Sequence, residues 1–288
     1  MKVISLSSIP PRFDLIGPTL ECLTAQGTAA DAVELYLPRT YRRFPDYDGG
    51  MPTVPAGVTI HRPATDLGPA SKVLHAVERY RDVEGAQILF CDDDRAYYPG
   101  WAAALFAEQA RRPGDAVALT GWNVERTGLG GYAPRPAPQH VKRSRRWDMD
   151  YRIKRIRQIL GGGGKVPIRM KPARRLVARA GYADIFEGYG GVVVRPDFFD
   201  AEAYEIPKVL WAVDDVWLSG MLARRGIGIW VPEGLYEPKN TVADLTEALY
   251  RWRTDDMSRA QLNAKCANYL RDRYGVWSNR AAGLQLAR

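Results

Sequence analysis

Histidine and cysteine are scarce in this chain, with three of each among 288 residues. His61, His75 and His140 do not cluster, and Cys22, Cys91 and Cys266 stand far apart in apolar contexts. That spacing provides neither a zinc motif nor a disulfide framework, so reduced core thiols are expected. Long apolar runs are missing as well, since none approaches the roughly 20 residues of a membrane span. Residues 1–6 lack a signal-peptide core, which makes the cytoplasm the expected location. Two phosphate-binding signatures are also absent. A P-loop needs Gly, four residues, then Gly-Lys-Ser/Thr, but around the glycine run 161–164 the first and last required positions hold Ile159 and Val166. Gly128-Leu129-Gly130 does not follow the first strand, so it is no dinucleotide fingerprint.

What is present fits a folded α/β protein. Hydrophobic residues make up 46% of the chain, enough for one large core or two small ones. The formal charge of +8 points to an anionic partner, whether nucleotide, phospholipid surface or nucleic acid. Residues 2–6 read as a first strand, followed by a helix that Pro18 opens and that carries Leu20 and Leu23. Strands are expected at 33–37 and 58–61, with a turn-rich surface excursion over 39–57 between them. Pro69 starts a helix with Val73, Leu74 and Val77. A further strand, a helix with Leu105 and Phe106, and a strand over 117–120 follow. This alternation predicts a mostly parallel sheet flanked by helices.

The most informative stretch runs from Ile88-Leu89-Phe90-Cys91 into Asp92-Asp93-Asp94, with Pro99 opening the next helix. An apolar strand without alternation is expected where both sheet faces are covered. Ligands of open α/β sheets gather at the carboxyl ends of such strands. Three adjacent carboxylates there repel one another, and an oxygen-seeking divalent cation neutralises them. Strand alternation predicts Asp92 and Asp94 on one side and Asp93 on the other. The competing reading is helix capping by one aspartate and solvated turn positions for the rest.

From residue 126 to 181 the pattern gives way to glycines and prolines around one helical stretch, 147–160. Met149, Ile153, Ile156 and Leu160 share one face of it, and Arg152, Lys154, Arg155 and Arg157 fill the rest. Such a basic amphipathic helix either lies on an anionic membrane or packs on its own domain with a solvated charged face. Beyond it, Glu187-Gly188-Tyr189-Gly190-Gly191 leads into a strand over 192–195. Its glycines either let substrate approach the backbone or form a tight turn. Asp214 and Asp215 begin a helix with Trp217, Leu218, Met221 and Leu222 on its buried side. One of the pair is a candidate general base, and a helix cap is the competing role.

These segments, together with Asp66-Leu67-Gly68-Pro69-Ala70-Ser71-Lys72, resemble the GT-A glycosyltransferases, close to the bacterial family-2-like enzymes, over residues 1–240. The resemblance implies a Rossmann-like GT-A catalytic domain over 1–240, with 126–181 as a basic flexible insert. It leaves 241–288 as a helical extension packed on that domain. It implies a metal-dependent glycosyltransferase of polysaccharide biosynthesis, taking a nucleotide-sugar donor, UDP-linked, and a saccharide or lipid-linked acceptor. Asp94 and Asp92 would hold Mn2+ or Mg2+ on the donor diphosphate, with Asp92 and Asp93 near ribose and sugar. Arg12, in the loop Ser7-Ser8-Ile9-Pro10-Pro11-Arg12-Phe13, would contact base or phosphate. Asp66, Lys72, Gly190 and Gly191 would complete the donor site, and Asp214 or Asp215 would serve as base in an inverting reaction. A late histidine ligand found in some members is lacking, because the last histidine is His140; Glu237, Asn240 or water would replace it.

Beyond Asn240, helices are expected over 242–253 and 258–273, packed through Ala248, Leu249 and Trp252, then Leu262, Cys266, Tyr269 and Leu270. Residues 281–288 are expected to fray. The expected location is cytoplasmic, with peripheral contact at the inner membrane face through the basic insert. Two other functions stand beside the main reading. A nucleotidyltransferase, or another metal-dependent phosphoryl-transfer enzyme, also uses aspartates to hold metal. A nucleic-acid-binding protein would use the basic surface with Trp147, Tyr151 and Trp277, but those charges match no reader motif, so no nucleic-acid partner is expected.

Overall fold

The computed structural model describes residues 1–130, 138–142, 148–161, 174–247 and 257–278. Several expectations lie outside these residues: Trp147, most of the glycine run, the second half of the helix over 242–253 with Ala248, Leu249 and Trp252, and the last residues.

An eight-stranded sheet organises the chain. Its strands are β1 (Lys2–Ser7), β2 (Ala32–Tyr36), β3 (Val58–His61), β4 (Gln87–Phe90), β5 (Ala116–Ala118), β6 (Gly181–Ala183), β7 (Val192–Val194) and β8 (Ile229–Val231). Across the sheet the order is β6-β8-β5-β7-β4-β1-β2-β3. β3, β2, β1 and β4 run parallel, as do β5 and β8. β7 enters between β4 and β5 antiparallel to both, and β6 closes one edge antiparallel to β8. The sheet is therefore mostly parallel and mixed at two strands.

Side-chain alternation splits the core into two layers. Val3, Ile88, Phe90, Val192 and Val194 face one side, and Ile4, Leu6, Leu89, Cys91 and Val193 face the other. On the first side lie α2 (Ser71–Arg79), α5 (Asp214–Arg224) and α6 (Arg259–Tyr274); on the second lie α1 (Gly17–Thr24) and α3 (Trp101–Arg111). Covering both faces explains why β4 is apolar at every position after Gln87. α6 packs on α5 through Leu262, Cys266, Ala267 and Leu270. Ser258 starts it with a capping box in which Gln261 answers the cap.

Residues 242–245 form a short 3-10 turn in place of the first turn of the expected helix. In the insert, α4 (Met149–Gly161) forms as the spacing predicts. Its apolar stripe is not packed inward, because Met149, Ile153, Ile156 and Leu160 are all exposed and Tyr151 is its buried residue. Among the described residues no helix is long and apolar enough to cross a membrane.

Candidate functional site

A cleft of about 240 Å³ opens at the carboxyl ends of β1 and β4. Four stretches of chain bring charged side chains to it. The β1–α1 loop supplies Ser8 and Arg12, α2 supplies Lys72, the run after β4 supplies Asp92–Asp94 and Arg95, and the start of α5 supplies Asp214 and Asp215. Tyr41, Phe44 and Trp211 add aromatic wall. Carboxylates outnumber cations in the lining, since Asp66, Asp244 and Glu247 join the five aspartates already named, while Arg43 and Arg259 join Arg12, Lys72 and Arg95.

Lys72 is the hub. Its buried ammonium stands 2.7 Å from Asp92 Oδ1 and 2.8 Å from Asp214 Oδ2. Burial alone would lower its pKa, but Asp214, Asp92 and Asp215 outweigh that and hold it well above the usual lysine value. Asp214 also faces Arg259, at the first position of α6, at 3.5 Å. Burial pushes Asp214 up, and Lys72 with Arg259 more than offsets this, so the carboxyl lies below its ordinary value. Its neighbour behaves in the opposite way. Burial, and then the charge of Asp214, drives Asp215 well above the carboxylate range, and its Oδ1 accepts from the Gly188 amide at 3.1 Å.

Asp93 and Asp94 share Arg12. The guanidinium pairs with both, at 3.2 Å to Asp94, and donates through Nε to Thr246 O at 2.9 Å. Asp93 also accepts from Ser8 Oγ. Asp94 is pushed up to about 7, by burial first and then by Asp92 and Asp93. Its Oδ1 is buried and receives no hydrogen bond among the described residues, meeting only an ion pair with Arg95 at 3.2 Å.

The sequence-predicted residues are thus gathered, with three adjustments. The expected grouping of Asp92 with Asp94 is replaced by Asp92 on Lys72 and Asp93 with Asp94 on Arg12, because the chain turns immediately after Cys91. Asp66 lines the cleft, but its carboxylate caps its own loop, accepting from the amides of Arg42 and Gly68 at 2.7 and 2.8 Å. Gly190 and Gly191 lie behind the cleft. Gly190 O accepts from the Trp101 indole at 2.8 Å, and Gly191, at φ 96°, lies against that ring. The glycine of that loop that stands against the site's charged groups is Gly188, where a Cβ would stand 3.0 Å from Asp215 Oδ1 and 3.1 Å from Lys72 Nζ; Gly68 is a glycine in the cleft lining itself. Arg95 and Arg259 were not anticipated, and nothing in their local pattern marks them.

Two solved structures share the outline of this fold. One is a 4-diphosphocytidyl-2C-methyl-D-erythritol synthase, with 13% identity and a TM-score of 0.41 over 85% of this chain and 93% of that one. The other is the 2-C-methyl-D-erythritol 4-phosphate cytidylyltransferase from Thermus thermophilus, with 17% identity and a TM-score of 0.38 over 82% of this chain and 88% of that one. No protein-family model and no curated protein sequence matches the chain. At these values the likeness is one of fold and carries no argument about activity.

The expectation of a family-2-like enzyme with a UDP-sugar donor and a saccharide or lipid-linked acceptor finds no support in these two structures, neither of which is named a glycosyltransferase. The site shows a physical obstacle to the inverting form of that chemistry. An inverting sugar transfer needs a carboxylate free to take the acceptor's proton. Asp214 is locked between Lys72 and Arg259, and Asp215 is buried against the Gly188 amide.

A metal was also expected. Among the described residues no group of three or more His, Cys, Asp or Glu side chains is placed to hold one. Mg2+, however, binds through one or two carboxylates plus substrate phosphates and water. The under-satisfied Asp94 Oδ1 and the partly exposed Asp92 fit that smaller requirement.

Proposed function

We propose that this protein is a nucleotidyltransferase: it binds a nucleoside triphosphate with Mg2+ and passes the nucleotidyl group to an acceptor oxygen, releasing pyrophosphate. The observation that carries the reading is the convergence of Arg12, Lys72, Asp92–Asp94 and Asp214 on one cleft at the carboxyl ends of parallel strands. Transfer at phosphorus asks little covalent chemistry of the protein, so positioning and electrostatic stabilisation suffice. A site in which Asp92, Asp93, Asp94 and Asp214 are each paired to a cation suits that demand better than a transfer that needs one of them as a free base.

In this reading Asp92 and Asp94, which face different cations in the structure, would be the carboxylates that hold Mg2+, and the ion would supply neutralisation of phosphate charge and polarisation of the α-phosphorus. Arg12 fixes Asp93 and Asp94 and thereby the shape of the β1–α1 loop. Lys72 bridges Asp92 and Asp214 and presents a buried positive charge to the phosphates. Tyr41, Phe44 and Trp211 offer apolar surface for a base. Residues 1–240 form the catalytic domain, and the following segment closes its cleft with Asp244, Glu247 and Arg259. We place the protein in the cytoplasm, where Cys22, Cys91 and Cys266 stay reduced.

Thermal unfolding across the four ribonucleoside triphosphates, with Mg2+ and with EDTA, tests the reading. A triphosphate at about 100 times its dissociation constant stabilises by about 2.7 kcal/mol, a shift of several degrees. Stabilisation that requires Mg2+, and that pyrophosphate competes away, is the expected result. Stabilisation by nucleoside-diphosphate sugars with none by triphosphates overturns it.

A further inference from the structure

The backbone ladder that anchors β4 ends at Cys91, whose amide donates to Ser5 O at 3.0 Å. The aspartates that follow are held by other elements. Asp93 O accepts from Thr19 Oγ1 at 2.9 Å, and Asp94 O accepts from the Thr241 amide at 2.9 Å. For Asp92 both backbone polar groups go to one side chain. Its amide donates to the Tyr97 hydroxyl at 3.1 Å, and that hydroxyl lies 3.1 Å from Asp92 O and 3.1 Å from Tyr189 O. With one proton to give, the phenol accepts from the Asp92 amide and donates to one of the two carbonyls. The ring is buried, 4.1 Å from Trp101, and the Tyr97 amide donates to Cys22 Sγ at 3.1 Å. A single buried phenol therefore joins the aspartate loop to the glycine loop that carries Gly188.

We infer that Tyr97 is a positioning residue: its hydroxyl fixes the Asp92 backbone, and through it the carboxylate that faces Lys72 and would meet Mg2+. The inference rests on the nucleotide-binding reading above. A backbone tied to the phenol at its N–H and within the phenol's reach at its C=O has little freedom to rotate, so the Asp92 side chain leaves from a fixed direction. Removing the hydroxyl takes the partner from a partly buried amide and frees the loop to turn. Outer partners that orient a metal-binding side chain are typically worth roughly 10–100-fold in metal affinity.

Calorimetric titration of a nucleoside triphosphate into the wild type, Tyr97→Phe and Trp101→Phe, each with Mg2+ and with EDTA, separates the possibilities. Tyr97→Phe keeps the ring on Trp101 and is expected to lose about tenfold or more in affinity with Mg2+ while changing little in EDTA. Trp101→Phe loosens the same packing and removes the indole's bond to Gly190 O but leaves the Asp92 backbone contacts in place, and its ratio of the two affinities stays at the wild-type value. A wild type that shows no Mg2+-dependent binding overturns the nucleotide reading and this inference with it. Mg2+-dependent binding in the wild type that Tyr97→Phe leaves unchanged, or an equal loss with and without Mg2+, overturns the inference alone.

Discussion

Replacing Lys72 by Met removes the ammonium that stands between Asp92 and Asp214 while keeping most of the side-chain volume. At an effective dielectric of about 20, charges roughly 2.8 Å apart attract by about 6 kcal/mol, and Lys72 meets two carboxylates at such distances. Desolvating the ammonium cancels much of that attraction, so the net effect follows the usual cost of breaking a buried ion pair, about 3–5 kcal/mol. The loss has a signature in pH. In the wild type Asp214 is held below its ordinary value, so its contribution is present above the unfolded carboxylate pKa and fades as pH falls through the folded value. Without Lys72, burial pushes Asp214 up, and protonation then relieves the variant. The deficit is therefore largest near about pH 8 and shrinks toward about pH 5. Urea unfolding followed by the fluorescence of the eight tryptophans measures it directly. A deficit below about 1 kcal/mol at both pH values, or one that grows as pH falls, refutes the reasoning.

Other perturbations separate residues that look alike in sequence. Asp215→Asn mimics a carboxyl whose pKa is already driven up and keeps the bond from the Gly188 amide, so it should stay within about 0.5 kcal/mol of wild type at neutral pH. Asp214→Asn removes the partner of Lys72 and Arg259 and should cost about 3 kcal/mol in the same urea assay; equal effects would show that the two carboxyls do not differ. Gly191→Ala places a methyl against the Trp101 indole at a positive φ and should destabilise by about 1–3 kcal/mol or more, whereas a neutral result would deny that contact. Ser258→Ala removes the capping box of α6 and should cost about 1 kcal/mol, read as a lower thermal midpoint.

The acidic run after β4 was legible because only a strand end explains four apolar residues running into three aspartates. Lys72 was legible only through the family resemblance, and Asp214 only as one of a pair with Asp215 at a helix start. Their partners were not, since nothing local ties Arg259 to Asp214 or Tyr97 to Asp92; those contacts exist only once α6 and the loop after Asp94 have folded back. The grouping of the aspartates failed for the same reason, because strand alternation stops where Tyr97 and Thr241 take over the backbone. Gly190 and Gly191 were read toward a ligand, but a glycine required by an indole looks the same in sequence as one required by a substrate. The direction of β7 was equally hidden, as three consecutive valines read alike both ways. β6 and β8 are too short to show a period. The exposed stripe of α4 could be counted in the sequence, but not which way it turns.

The placement of β7 has a consequence for how the chain is made. β4 and β5 leave the ribosome with a one-strand gap between them, and the strand that fills it emerges only after residues 119–191. Until then each presents an open hydrogen-bonding edge to its surroundings, the kind of surface that invites wrong pairing in a crowded compartment. The nascent chain therefore cannot finish the floor of its own cleft from the amino-terminal half.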